Sequence, residues 1–320
     1  MINSVRNTVQ GVLNKNNYGY ISPQDFNLYA KQAQMEIFEE YFTAYNKVIN
    51  MENGRVAGTD YADIEQPLAE VLEYFLRSDF LVPILTPSGF TVNQFSAPSL
   101  VTVGFDYYMI NKLLCYTLKR ATGQNTATVP LNQLIDSGAS FVNAGVVYGD
   151  VVVNLTTLES ATVMAVTATA LDLSANIFLV IGDKYAVYAG ASAVDAEKVS
   201  VGKITMLNNS LLTAPSTTFP VYTLNNLGTI TTYPNSIAGY GAVNATYFRY
   251  PLDPKWTYIT LASGEPLFDQ SQPDYQDFEL PLEEEYKLAQ KILQYCGMTI
   301  RETEVVQYAI GQEAGRDANT

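Results

Sequence analysis

From residue 18 to residue 50 the chain reads YGYISPQDFNLYAKQAQMEIFEEYFTAYNKVIN, and no other stretch is so tightly patterned. Ser22 can cap a helix, Pro23 suits the first helical position where no amide donor is needed, and Asp25 falls where a carboxylate reaches back to the cap. After that start, Phe26, Tyr29, Ala30, Ala33, Ile37, Tyr41, Ala44, Tyr45 and Val48 recur three and four residues apart. This spacing predicts one helix running to about Met51, where Asn53-Gly54 ends it. Leu28, Met35, Phe38, Phe42 and Ile49 widen the apolar stripe beyond what one buried face needs. A second face therefore requires a partner, from the rest of the chain or from a neighbouring subunit.

The other elements are arranged around this helix. A short helix is expected over 4–13, capped by Ser4, and another over 68–76. Pro83, Pro87 and Pro98 forbid a long helix after that and favour extended chain over 80–85. The stretch 101–118 mixes both periods and reads as a strand running into a short helix. Between Pro130 and Tyr250 only eleven residues are charged, roughly half the 16% density of the whole chain. That segment is rich in Val, Thr, Ala and Tyr, with candidate strands over 145–155, 162–168, 177–181, 185–189, 202–206 and 219–224. From 251 onward the first composition returns. Trp256 precedes a strand over 257–261, Pro281 opens a helix that Gly297 closes, and a last helix covers 299–312. The expected fold class is α+β: a helical body over 1–129 and 251–320, interrupted by a mainly antiparallel β domain over 130–250.

The composition excludes more chemistry than it offers. There is no histidine, which removes the usual neutral-pH base and the commonest transition-metal ligand. Cys115 and Cys296 stand alone among apolar residues and read as buried free thiols. Asp60 with Asp63, or Asp253 near Lys255, could in principle serve a glycosidase-type pair, and each reads more simply as solvated loop charge. Gly239 and Gly241 lack the third glycine and following helix of a phosphate loop and read as a turn. No cofactor or metal pattern is present, and the chain is expected not to be an enzyme. Its net charge of −14 is unsuited to gripping phosphate backbones, which takes clustered Lys and Arg. No run approaches the ~20 apolar residues of a membrane span, and residues 1–15 lack the apolar core of a signal peptide.

Three stretches together resemble a known group: YGYISPQDFNLYAKQAQMEIFEEYF, YPLDPKW at 250–256, and FELPLEEEYKLAQKILQYCGMTIRETEVVQ at 278–307. They are similar to virion structural proteins of short-tailed, crAss-like bacteriophages, nearest to the connector components that form rings at the portal vertex. The likeness covers both ends of the chain and leaves 130–250 aside. It implies a structural head-to-tail connector subunit, present as about a dozen copies in a ring with the portal protein and other ring or tail proteins as partners. It further implies a virion location, assembly in the host cytoplasm, and a channel through which DNA passes without specific binding. An acidic wall suits that passage by repelling DNA. The alternative is a tail or capsid-surface adhesin whose charge-poor β domain binds a host receptor or glycan. Candidate subunit-contact residues are Phe38, Phe42 and Tyr45 on the long helix, Trp256, and Val305 and Tyr308 near the C-terminus.

Overall fold

The computed structural model describes residues 1–14, 21–54, 66–85, 91–127, 132–225 and 228–300. The helix expected over 299–312 and the Asp60/Asp63 pair therefore fall outside the described residues, apart from the helical residues 299 and 300. The fold is mixed α+β, with several mainly antiparallel sheets and six α-helices among the described residues. These are α1 (Ile2–Asn14), α2 (Pro23–Gly54), α3 (Gln66–Tyr74), α4 (Leu100–Val103), α5 (Val201–Asn208) and α6 (Glu285–Ile300). The chain divides into two compact units, one of residues 1–75 with 251–320, the other of residues 76–250.

In the first unit α2 starts as its residues dictate. The Ser22 hydroxyl accepts from the Asp25 amide (3.1 Å) and donates to the Asp25 carboxylate (2.6 Å), closing the first turn. Phe26, Ala30, Ala33 and Ile37 are buried along one stripe, and Phe38 and Phe42 along its flank. α1 begins two residues earlier than its own sequence suggests, because its cap comes from far away. Asp277 accepts from the Ile2 amide (2.7 Å) and from the terminal ammonium (2.9 Å), so Ser4 sits inside the helix instead of capping it. α6 runs through Gly297 to Ile300. The buried packing of the helix outweighs the ~1 kcal/mol that a mid-helix glycine costs, so the expected stop at Gly297 is not used.

Burial pushes the Asp277 carboxyl up, but the bonds from the terminal ammonium and from the Ile2 and Phe278 amides together hold it below the ordinary aspartate value. A carboxyl depressed in the folded state adds stability above its unfolded pKa and loses it as pH falls through the folded one. The docking of α1 is therefore expected to weaken as the pH falls below the ordinary aspartate range of about 4 and through the depressed folded value. Circular-dichroism melts should show this acid-side loss in the native chain and a flatter profile in Asp277→Asn.

The second unit is built from β1 (Leu76–Phe80), β2 (Pro83–Leu85), β3 (Thr91–Ser96), β4 (Tyr107–Tyr116), β5 (Lys119–Gln124), β6 (Gln133–Ile135), β7 (Val151–Asn154), β8 (Ser160–Val166), β9 (Ala170–Leu173), β10 (Lys184–Tyr188), β11 (Ala193–Asp195), β12 (Glu197–Lys198), β13 (Val221–Asn225), β14 (Thr229–Tyr233) and β15 (Val243–Arg249). The three sheets have strand orders β1-β15-β4-β11, β5-β10-β7-β8-β9-β6 and β12-β13-β14-β3-β2. Every pairing is antiparallel except β12 with β13. β10 is buried on both faces. Tyr185 and Val187 join one core with Val152 and Phe141, while Ala186 and Tyr188 join another with Leu113, Val153 and Tyr247.

Four expectations are corrected here. The boundary placed at 129/130 lies inside this unit, because β1 and β4 hydrogen-bond to β15 and β5 to β10. The order over 101–118 is helix then strand: Ser99 and Thr102 form a reciprocal cap on α4, and Gly104, at φ 81°, ends it. Residues 177–181 form no strand, since only Ile177 and Phe178 are buried and the next three side chains face outward. Residues 202–206 lie in α5, which starts where Ser200 accepts from the Lys203 amide (3.3 Å).

Candidate assembly surfaces

Residues of three stretches, 18–42, 250–256 and 278–307, meet around one buried amide. Gln34, on α2, donates through Nε2 to the Leu252 carbonyl (2.8 Å) and accepts at Oε1 from the Glu279 amide (3.0 Å). The Leu252 amide in turn donates to the Glu279 carboxylate (2.7 Å). Two turns earlier on α2, Asn27 makes a reciprocal pair with the Trp256 backbone, accepting at 2.8 Å and donating at 3.2 Å. A glutamine bonded at both ends of its amide in this way joins the three segments, and its removal would leave a buried donor and a buried acceptor unsatisfied.

A ladder of charge ties α2 to α6. The buried Lys291 ammonium lies 3.0 Å from Glu36 and 2.9 Å from Glu40. Lys287 bonds Glu40, and the Tyr295 hydroxyl donates to Glu36. Burial raises the Glu40 carboxyl, yet the two lysines bring it below the ordinary glutamate value. Burial first, and then the bond to Glu36, push Tyr295 up to about 12.

The expected contact residues fare unevenly. Phe38 and Phe42 are buried within their own chain, the two rings 4.9 Å apart and Phe38 edge-on to Phe75 at 5.0 Å. Trp256 is 2% exposed, with the Arg6 guanidinium 3.7 Å above its ring and its Nε1 donating to Asn3 (3.1 Å). These three have no surface left to offer another subunit, so the assignment is corrected. Helical periodicity reports that a side chain is buried but not which chain buries it. Tyr45 is half-buried, and Val305 and Tyr308 lie outside the described residues.

The chemistry of reactive groups is muted. Cys115 and Cys296 are free and buried, and burial above all pushes both thiols up to about 12. Asp253 bonds Lys31 at 2.6 Å, while Lys255 bonds Asp274. A cleft of about 650 Å³ in the β unit holds Asp79 and Glu159, with Phe80 and Tyr240 on its wall. Each carboxylate already accepts a hydroxyl hydrogen bond, Asp79 from Tyr247 (2.8 Å) and Glu159 from Thr157 (3.0 Å). Gly239 and Gly241 both adopt positive φ, as a turn requires.

The surface with most to gain from a partner went unnoticed in the sequence. Between β12 and β13, Val201, Met206, Leu211, Leu212 and Phe219 are all exposed, Leu211 and Leu212 at 104% and 94%. Burying five such side chains is worth roughly 7–15 kcal/mol before the costs of association. The signal was there in NNSLLTAPSTTF, an apolar pair among turn-forming residues with no helical or strand period to claim it. Among the described residues no helix is long and apolar enough to cross a membrane. No family model matches this chain, and a search of curated proteins finds no match either.

Proposed function

We propose that this chain is a structural, non-enzymatic subunit that assembles with copies of itself into a closed ring at the head-to-tail junction of a tailed phage. There it would join the portal protein to the tail and continue the channel through which DNA passes. The reading rests on one observation above all. The three segments that resemble crAss-like virion proteins, the first more than 200 residues from the other two, are bonded into a single piece around Gln34. A likeness scattered over unrelated surfaces would carry little weight, whereas one that coincides with a packed unit is a likeness of a body. In this reading residues 1–75 and 251–320 form the connector-type helical body, and the β unit addresses a particular neighbour.

Two properties of the chain support self-association. Charged residues are sparse at 16%, and the apolar side chains of 201–219 stand unpaired on the surface. The acidic balance suits a wall along which DNA slides, since a net charge of −14 repels phosphate. Native mass spectrometry and negative-stain microscopy of the purified full chain should give closed rings of identical subunits, and proteomics of purified virions should find the chain in the particle. A stable monomer at high micromolar concentration, absent from particles, would overturn this reading.

A further inference from the structure

The turn that joins β7 to β8 holds one residue in a conformation its side chain resists. Leu158 adopts φ 62°, the left-handed region that a leucine enters only at a cost, of order 1–3 kcal/mol. Two groups keep it there. Its amide donates to the Asn154 carbonyl (3.0 Å), and its carbonyl accepts from the Tyr240 hydroxyl. The turn so fixed brings Leu158 and Glu159 to one wall of the cleft of about 650 Å³ in the β unit. Its other walls come from the edge strand β1, from Asn176 and from Asn244 of β15.

The lining has a defined chemistry. Among the described residues no lysine or arginine contributes to it. Asp79 and Glu159 are each anchored through one oxygen, to the Tyr247 and Thr157 hydroxyls, and among the described residues the second oxygen of each has no protein partner. Both charges act on one hydroxyl: burial first, and then these carboxylates, push Tyr240 up to about 12. The Asn244 Oδ1 accepts from Ser78 (2.8 Å), which leaves its Nδ2 to donate. The Asn176 Oδ1 is buried and accepts from nothing among the described residues, a deficit that ordinarily costs about 1–3 kcal/mol. Phe80, half-buried beside Tyr240 with ring centroids 6.2 Å apart, adds an aromatic face.

This lining discriminates among ligand classes. A phosphate or carboxylate is repelled, since two carboxylates face it with no cation between them. An ammonium or guanidinium satisfies the carboxylates but then meets the Asn244 amide donor with a donor of its own. A hydroxyl both donates and accepts, so adjacent hydroxyls on a sugar ring can donate to the acceptors and accept from Asn244 while the C–H face covers Phe80. The volume falls within the ~300–1,000 Å³ of small-molecule sites. We propose that this cleft binds a neutral saccharide, with Asp79, Glu159 and Asn176 as acceptors, Asn244 as donor and Phe80 as the apolar wall. The inference does not rest on the ring reading.

The test is saturation-transfer-difference NMR on the full chain with maltose, cellobiose, lactose and N,N′-diacetylchitobiose at millimolar concentration. At least one of the four should take up saturation, and spermidine and glucose 6-phosphate should neither bind nor displace it. Glu159→Ala, at an exposed position, and Asn176→Ala should each raise the dissociation constant on the order of tenfold. Asn176→Ala also removes an unmatched buried oxygen, so its melting temperature should stay level or rise while binding is lost. A residue kept for the fold alone would show the reverse, a lower melting temperature with binding intact. Silence from all four disaccharides, binding that survives both variants, or displacement by spermidine would each overturn the saccharide site. None of these outcomes bears on whether the chain forms rings.

Discussion

Replacing Phe42 by aspartate is expected to unfold the helical unit, not to leave a folded chain that fails to assemble. Phe42 is 3% exposed and sits edge-on to Phe38, which packs on Phe75. Losing the ring alone costs about 3–5 kcal/mol. The aspartate then has to bury a carboxylate among aromatic rings, which adds several kcal/mol or drives the site open to water. Together these approach the ~5–15 kcal/mol that holds a typical domain. Circular dichroism should show lost helix and the soluble yield should fall, whereas Leu28→Asp, at an exposed position of the same helix, should leave both unchanged. A helical, soluble Phe42→Asp chain with a native melting temperature would put Phe42 back among the subunit contacts.

That prediction reverses what the sequence suggested, and the reason is physical. The stripe through Phe26, Ala30, Ala33 and Ile37 and its flank at Phe38 and Phe42 could be read as buried from spacing alone. Spacing is a local property, and the identity of the burying surface is not. The same limit explains the misplaced boundary. β1 pairs with β15 across more than 160 residues, and no composition shift marks the start of that pairing at Leu76. β7, β8, β10 and β13 were legible because short apolar runs with turn residues between them report their own conformation. α5 was not, since Val201, Ile204 and Thr205 favour strands, and the cap at Ser200 is what decides the matter. The cap on α1 lay 275 residues from the amide it serves, beyond any local signature. Of the surfaces argued above, the Gln34 junction left no trace in the pattern beyond a polar residue on an apolar flank.

Gly190→Ala should be the most damaging single-carbon change in the β unit. A Cβ at this position would lie 2.1 Å from the Gly149 carbonyl oxygen and 3.1 Å from its carbon, both backbone atoms that cannot swing aside. The Gly190 amide also donates to Asp150 (3.1 Å), a buried carboxylate that accepts from the Val147 amide (2.9 Å) and faces Arg120 at 2.9 Å. Pushing Gly190 away would open that cluster and strain a buried ion pair, for an expected loss of about 3–5 kcal/mol. Gly202→Ala is the matched control: it lies in α5 with open space around it, and should be neutral or stabilising by about 0.5–1 kcal/mol. The midpoint of urea unfolding at constant slope reads both changes, and an unmoved midpoint in Gly190→Ala would mean that the turn after β10 can retreat without strain. Because alternate residues of β10 belong to two different cores, a disturbance at its end should reach both. The variant should therefore lose its tertiary signal in one transition at lower urea, with no intermediate in which a single core survives.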